Sequence, residues 1–224
     1  MKYLLVLIFI CSLNVRAKPP LTSSRLNKLS GDSKVNFDHK TVWDRRYNKR
    51  VYIYGKAPAV FLAENFDFIS AESKVLDVGM GEGRNAVFLA QKGHHVTGID
   101  ISSVAVKKAK LLAKERNVRI STIIGTVNKY NFKPNSFDVI LCFYFVDRSL
   151  NKKLISWLKP GGLLIYAAYS LREYDKPQTK KENINYYLKS QELLTMFPGM
   201  TILKYEEPLH EKFYRAGIIL KKKE

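Results

Sequence analysis

Val75-Leu76-Asp77-Val78-Gly79-Met80-Gly81-Glu82-Gly83-Arg84-Asn85 decides the fold. An apolar run ends in three alternating glycines, and a helical pattern from Asn85 to Lys92 follows at once. A second apolar run, His95 to Ile99, ends in Asp100. The order is strand, glycine turn, helix, and a second strand with a carboxylate at its tip. Glycine admits φ > 0 and leaves no Cβ between backbone and ligand. A ligand can therefore lie against the turn and face the amino end of the next helix. In open α/β sheets such ligands sit beyond the carboxyl ends of the strands. An acid at position 100 can there accept hydrogen bonds from both ribose hydroxyls. Together these features predict a pocket for an adenosine-type cofactor.

Working outward, alternation continues on both sides. The pattern predicts strands at 74–79, 95–100, 119–124, 138–144 and 162–168, with helices at 84–92, 103–116 and 149–158. Ser102 is placed to cap the second of these helices, and Lys107, Lys108 and Lys110 read as its wet face. Strands alternating with helices call for a mainly parallel sheet covered on both faces, a doubly wound α/β fold. Before this unit, Thr41 to Arg50 and Ala59 to Phe66 read as short helices, the second flanking the cofactor pocket. After it, Leu188 to Phe197 reads as a helix, with Thr201–Tyr205 and Tyr214–Leu220 as strands.

These residues resemble the class I S-adenosylmethionine-dependent methyltransferases. Val75 to Ala90 is similar to their first motif, with Asp100 as the acid of the second. The spacing G-x-G-x-G favours this family over dinucleotide oxidoreductases. Trp43-Asp44-Arg45-Arg46-Tyr47, Tyr54-Gly55, Pro58 and Gly83-Arg84-Asn85-Ala86 resemble the small tellurite-resistance branch. Ser136-Phe137-Asp138-Val139-Ile140 looks like its fourth strand, and Leu158-Lys159-Pro160-Gly161-Gly162 like the turn before its fifth. The resemblance spans roughly residues 42 to 221 and implies a Rossmann-like sheet whose last strand runs antiparallel beside the fifth. It implies S-adenosylmethionine as cofactor and a small acceptor, a thiol, metalloid oxyanion or similar nucleophile. Met80 stands where this branch often carries Cys. Thr126 stands where many relatives carry the acid that contacts the adenine amino group.

The cofactor residues expected on these grounds are Asp77, Gly79, Gly81, Gly83, Asp100, Ile101 and Thr126. Asp77 either holds the amino end of the cofactor's methionine or pins the turn through backbone amides. Asp100 either accepts the ribose or caps the following helix. Ile101 is placed to pack on the adenine. On the acceptor side the candidates are Arg46, Tyr47, Arg84 and Arg215, which suit an anionic substrate, although each could instead make a surface ion pair. Tyr144 and Phe145 either border the sulfonium or pack in the core. His94, His95 and His210 lack metal-ligand spacing, so no metal is inferred. No catalytic triad is needed when the acceptor is already an anion or a soft centre.

Composition bounds the rest. At 224 residues and 46% hydrophobic content the chain supports one domain with a real core. The net charge of +18 favours anionic partners, or else reflects a lysine-rich solvated surface. Nucleic acid is the less favoured partner, because no Asn-Pro-Pro-Tyr-like segment follows the fourth strand. Protein and lipid substrates stay open. Lys2, the apolar run Leu4 to Ile10 and Val15-Arg16-Ala17 match a secretory signal peptide cut after Ala17, with an uncleaved membrane anchor as the alternative. Residues 18–40 then read as a polar linker, and 41–224 as the methyltransferase-like domain. Export conflicts with the cytosolic source of S-adenosylmethionine. A second expectation is therefore an exported, non-catalytic binding protein built on the same scaffold.

Overall fold

The computed structural model describes residues 38–179, 183–208 and 213–224. The leader and most of the linker, with His210, lie outside the described residues. From Asp38 onward the chain forms one unit around a seven-stranded sheet of order β3-β2-β1-β4-β5-β7-β6. The strands are β1 (Lys74–Val78), β2 (His95–Asp100), β3 (Ser121–Ile124), β4 (Phe137–Phe143), β5 (Leu158–Tyr169), β6 (Thr201–Glu206) and β7 (Arg215–Lys221). The helices are α1 (His39–Tyr47), α2 (Val60–Ala63), α3 (Arg84–Gln91), α4 (Ser103–Glu115), α5 (Asn151–Trp157) and α6 (Leu171–Asp175). β1 to β5 pair in parallel, while β7 runs antiparallel between β5 and β6. The doubly wound, mostly parallel sheet expected from the alternation is thus present, with its antiparallel strand beside β5.

Strand side chains alternate between two apolar layers. Leu76, Val78, Ile99, Ile140, Cys142, Leu164 and Tyr166 face one side, where Leu150, Leu154 and Trp157 cover them. Val75, Val139, Leu141, Phe143, Ile165 and Ala167 face the other, against Phe61, Leu62, Ala86 and Leu89. Burial on both faces explains why the strands read as continuous apolar runs. The strand order reverses between β1 and β4. That switch point opens a crevice at the carboxyl ends of the strands.

Several local expectations change. α1 starts at His39, because the Asp38 side chain accepts from the Lys40 amide, and it ends at Tyr47. The expected helix over 59–66 shortens to α2 and a separate 3-10 turn at Phe66–Phe68. Leu188 to Phe197 is not a helix. Leu188 bridges to Ser170, and Gln191 takes φ 59°, so only the turn Glu192–Leu194 forms. α6 follows β5 without having been expected. Ser102 caps α4 as expected, its Oγ accepting from the Ala105 amide at 3.1 Å.

Candidate active site

All three loop glycines adopt left-handed φ: 66° at Gly79, 55° at Gly81 and 84° at Gly83. Their lack of a Cβ serves different neighbours. A Cβ at Gly79 would lie 3.2 Å from the Phe145 ring, and one at Gly81 would lie 2.9 Å from the Tyr47 hydroxyl. A Cβ at Gly83 would meet Ala109 of α4 at 2.6 Å. Gly83 therefore lets α3 and α4 pack closely. The other two glycines let the rings of Phe145 and Tyr47 approach the loop closely.

Asp77 projects into this region from β1 and is buried. Among the described residues its Oδ2 has no hydrogen-bond partner. Burial, with the charge of Asp100, pushes its pKa up to about 7, against the pull of Arg84 and the Ala86 amide. A buried acceptor without a partner is costly, and a ligand ammonium would satisfy it. Asp100, at the end of β2, is also buried. Its Oδ2 accepts from the Gly81 amide and its Oδ1 from the Ser102 amide, both at 2.8 Å. Burial raises its pKa while these two amides hold it down. Asp100 thus fixes the glycine loop and the start of α4, and each oxygen keeps a further lone pair for a ligand hydroxyl. The Gly125 amide bonds the Asp100 carbonyl at 2.9 Å. This brings exposed Thr126 and partly buried Ile101 to the same rim. The orphan oxygen, the left-handed glycines and the acid beside them fit an adenosyl amino acid. Among the described residues no group of three or more His, Cys, Asp or Glu could hold a metal.

A second cluster adjoins the glycine loop. The Arg84 guanidinium is 6.0 Å from the Tyr54 ring centroid and 5.5 Å from that of Tyr144, and Nη1 donates to the Tyr54 carbonyl at 2.9 Å. It makes no salt bridge among the described residues. Tyr144 follows β4 with φ 56° and lies 4.8 Å from Tyr169 at the end of β5. Burial, then Tyr144, pushes the Tyr169 pKa up to about 12, so its hydroxyl stays protonated at neutral pH. Arg46 lies over Trp43 at 5.1 Å and Tyr54 at 5.7 Å, and buried Tyr47 stacks on Trp43 at 5.6 Å. Arg215 begins β7 in register with Tyr169 and lies 3.9 Å from Glu206. The structure thus gathers Arg46, Tyr47 and Arg84 around Tyr54, and sets Arg215 at the edge behind Tyr169. Tyr54 and Tyr169 were missed as site residues, since only their distant partners reveal them. Lys108 was misread as wet: its side chain keeps 12% exposure beside buried Glu82.

Comparisons with known proteins agree with this geometry. Residues 75–162 match the family model described as a methyltransferase domain. The ubiquinone biosynthesis O-methyltransferase of Vibrio cholerae is 28% identical over 158 residues, covering 66% of this chain and 58% of that protein. The Rickettsia akari protein of the same name is 30% identical over 147 residues, 58% of each. The chain thus spans little more than half the length of these relatives. TehB from Haemophilus influenzae superimposes with a TM-score of 0.61 at 22% identity, covering 82% of this chain and 67% of that one. A SAM-dependent methyltransferase from Methanosarcina mazei does so with 0.58 at 22% identity, covering 70% and 96%. Over residues 75–162 the chain is thus similar to methyltransferase domains, and its sheet has the fold of the class I S-adenosylmethionine-dependent enzymes. S-adenosylmethionine is the cofactor that such a domain uses.

Proposed function

We propose that the protein transfers the methyl group of S-adenosylmethionine to a small anionic or soft nucleophile held among Tyr54, Arg84, Tyr144 and Tyr169. One observation carries this reading: a guanidinium with no salt bridge among the described residues stands on aromatic faces beside the glycine loop. Asp77 would hold the cofactor's ammonium, Asp100 its ribose, and Ile101 with Thr126 its base. When bound, S-adenosylmethionine supplies an electrophilic methyl group on a sulfonium centre. The chain's own residues then position and neutralise. Arg84 offsets the acceptor's charge, and the Tyr169 hydroxyl donates a hydrogen bond. An anionic acceptor leaves no proton to remove, so no general base is required. The O-methyltransferase relatives make an oxyanion acceptor the first to test, ahead of thiolates and metalloid oxyanions. We propose further that the leader at 1–17 directs the chain to export; a mature protein still beginning at Met1 would exclude its cleavage.

The test is a methyl-transfer assay over phenolates, thiolates, selenite and tellurite with wild type and Arg84→Met. It is run at about pH 8.5, where Asp77 is ionised. Arg84→Met is expected to raise KM for the preferred anion by about 10- to 100-fold, with Arg84→Lys recovering part of the loss. S-adenosylhomocysteine affinity should change by less than about threefold. Equal turnover of an uncharged acceptor by both proteins would remove Arg84 from the acceptor site.

A further inference from the structure

Glu82 is an acid within a loop otherwise built from residues that keep side chains away. It is buried, at 4% exposure, between Gly81 and Gly83. Its Oε1 pairs with the Lys108 ammonium of α4, and its Oε2 accepts from the Ile53 amide at 2.8 Å. The same ammonium donates to the carbonyls of Val51 at 2.7 Å, Lys49 at 3.1 Å and Tyr47 at 3.4 Å. The Tyr52 hydroxyl returns a bond to the Lys108 carbonyl at 3.0 Å. The segment after α1 has no strand or helix to satisfy its backbone, which must find partners elsewhere. One lysine supplies several of them.

The segment so held carries functional groups. At one end Tyr47 lies against Gly81; at the other Tyr54 lies under Arg84. A buried ion pair is no better for stability than well-packed apolar residues, because desolvation offsets its attraction. What this pair adds is register: it joins the cofactor loop, α4 and the 47–54 cover at a single point. We propose that Glu82 and Lys108 are positioning residues, a clamp that keeps the 47–54 cover closed over the cofactor loop and sets how long the cofactor stays bound. The residence time rests on the methyltransferase reading above; the clamp itself does not.

The experiment uses the full chain with the double substitution Glu82→Gln and Lys108→Met, which leaves no unpaired buried charge. In ligand-free protein, amides of residues 48–56 are expected to exchange about tenfold faster or more, with sheet amides unchanged. S-adenosylhomocysteine should dissociate about tenfold faster. Glu82→Gln alone keeps the Lys108 ammonium on the Val51, Lys49 and Tyr47 carbonyls and should recover part of the protection. Lys107→Met, on the exposed face of α4, should change neither reading. Unchanged exchange at 48–56 in the double variant would overturn the clamp. A uniform rise across the sheet would overturn it too, by showing a merely structural pair. If wild type fails to bind S-adenosylhomocysteine, the residence-time claim falls with the proposed function, while ligand-free exchange still decides the clamp.

Discussion

Asp77→Asn is expected to make the protein more stable at about pH 8 and to weaken S-adenosylhomocysteine binding by about 100-fold. Both effects come from one buried oxygen. The folded-state pKa of about 7 lies above the ordinary aspartate value of 3.8. Between those values the native state holds a proton that the unfolded chain has lost. Stability therefore falls as pH rises through that window and levels off above it. Asparagine carries no charge into the site, so the variant should gain about 1–3 kcal/mol above pH 7 and lose the slope. The cofactor's ammonium reverses the balance by favouring the carboxylate. Wild-type affinity should therefore fall as pH drops below about 7, with proton release on binding. Calorimetry at two pH values, in buffers of different ionisation enthalpy, measures that release. PH-independent binding without proton release, together with full affinity in Asp77→Asn, would place Asp77 away from the ammonium.

That trade between stability and binding bears on what could be read from the sequence. The parallel half of the fold was legible because its strands are buried on both faces and glycine punctuates the turn. The distal part was not. Leu188 to Phe197 has apolar residues at helical spacing, but the left-handed Gln191 and the bridge from Leu188 to Ser170 are tertiary facts. Local pattern placed Asp77, Asp100 and the glycines at the site. It could not show that Asp100 already holds two backbone amides, or that Gly83 is needed by Ala109. The aromatic cluster around Arg84 was half legible. Arg84 follows the glycine turn directly, whereas Tyr169 reaches it from a strand that lies far along the chain. Lys108 misled because a long aliphatic stem lets a charge on the flank of a helix reach inward. The signal for it was Glu82, an acid in a glycine loop, which needs a cation once buried.

Asp100→Ala should cost both fold and affinity, and separating the two is the harder task. Removing the carboxylate strands the Gly81 and Ser102 amides, both of which it now accepts from at 2.8 Å. Unpaired buried amides cost about 1–3 kcal/mol each, so a loss of about 2–4 kcal/mol in unfolding free energy is expected on that ground alone. A fall in cofactor affinity of more than about tenfold would then be ambiguous, since a displaced glycine loop weakens binding without any contact to ribose. Asp100→Asn keeps the shape and one accepting oxygen while removing the charge that draws hydroxyl protons. The decisive comparison pairs it with an S-adenosylhomocysteine analogue lacking both ribose hydroxyls, in a double cycle. If Asp100 receives those hydroxyls, wild type should bind the analogue about tenfold or more weakly, and Asp100→Asn should hardly distinguish the two ligands. If loop support is its whole role, the analogue should lose the same factor in both proteins. Equal factors would leave Asp100 as the brace of the loop and move ribose recognition elsewhere on the rim.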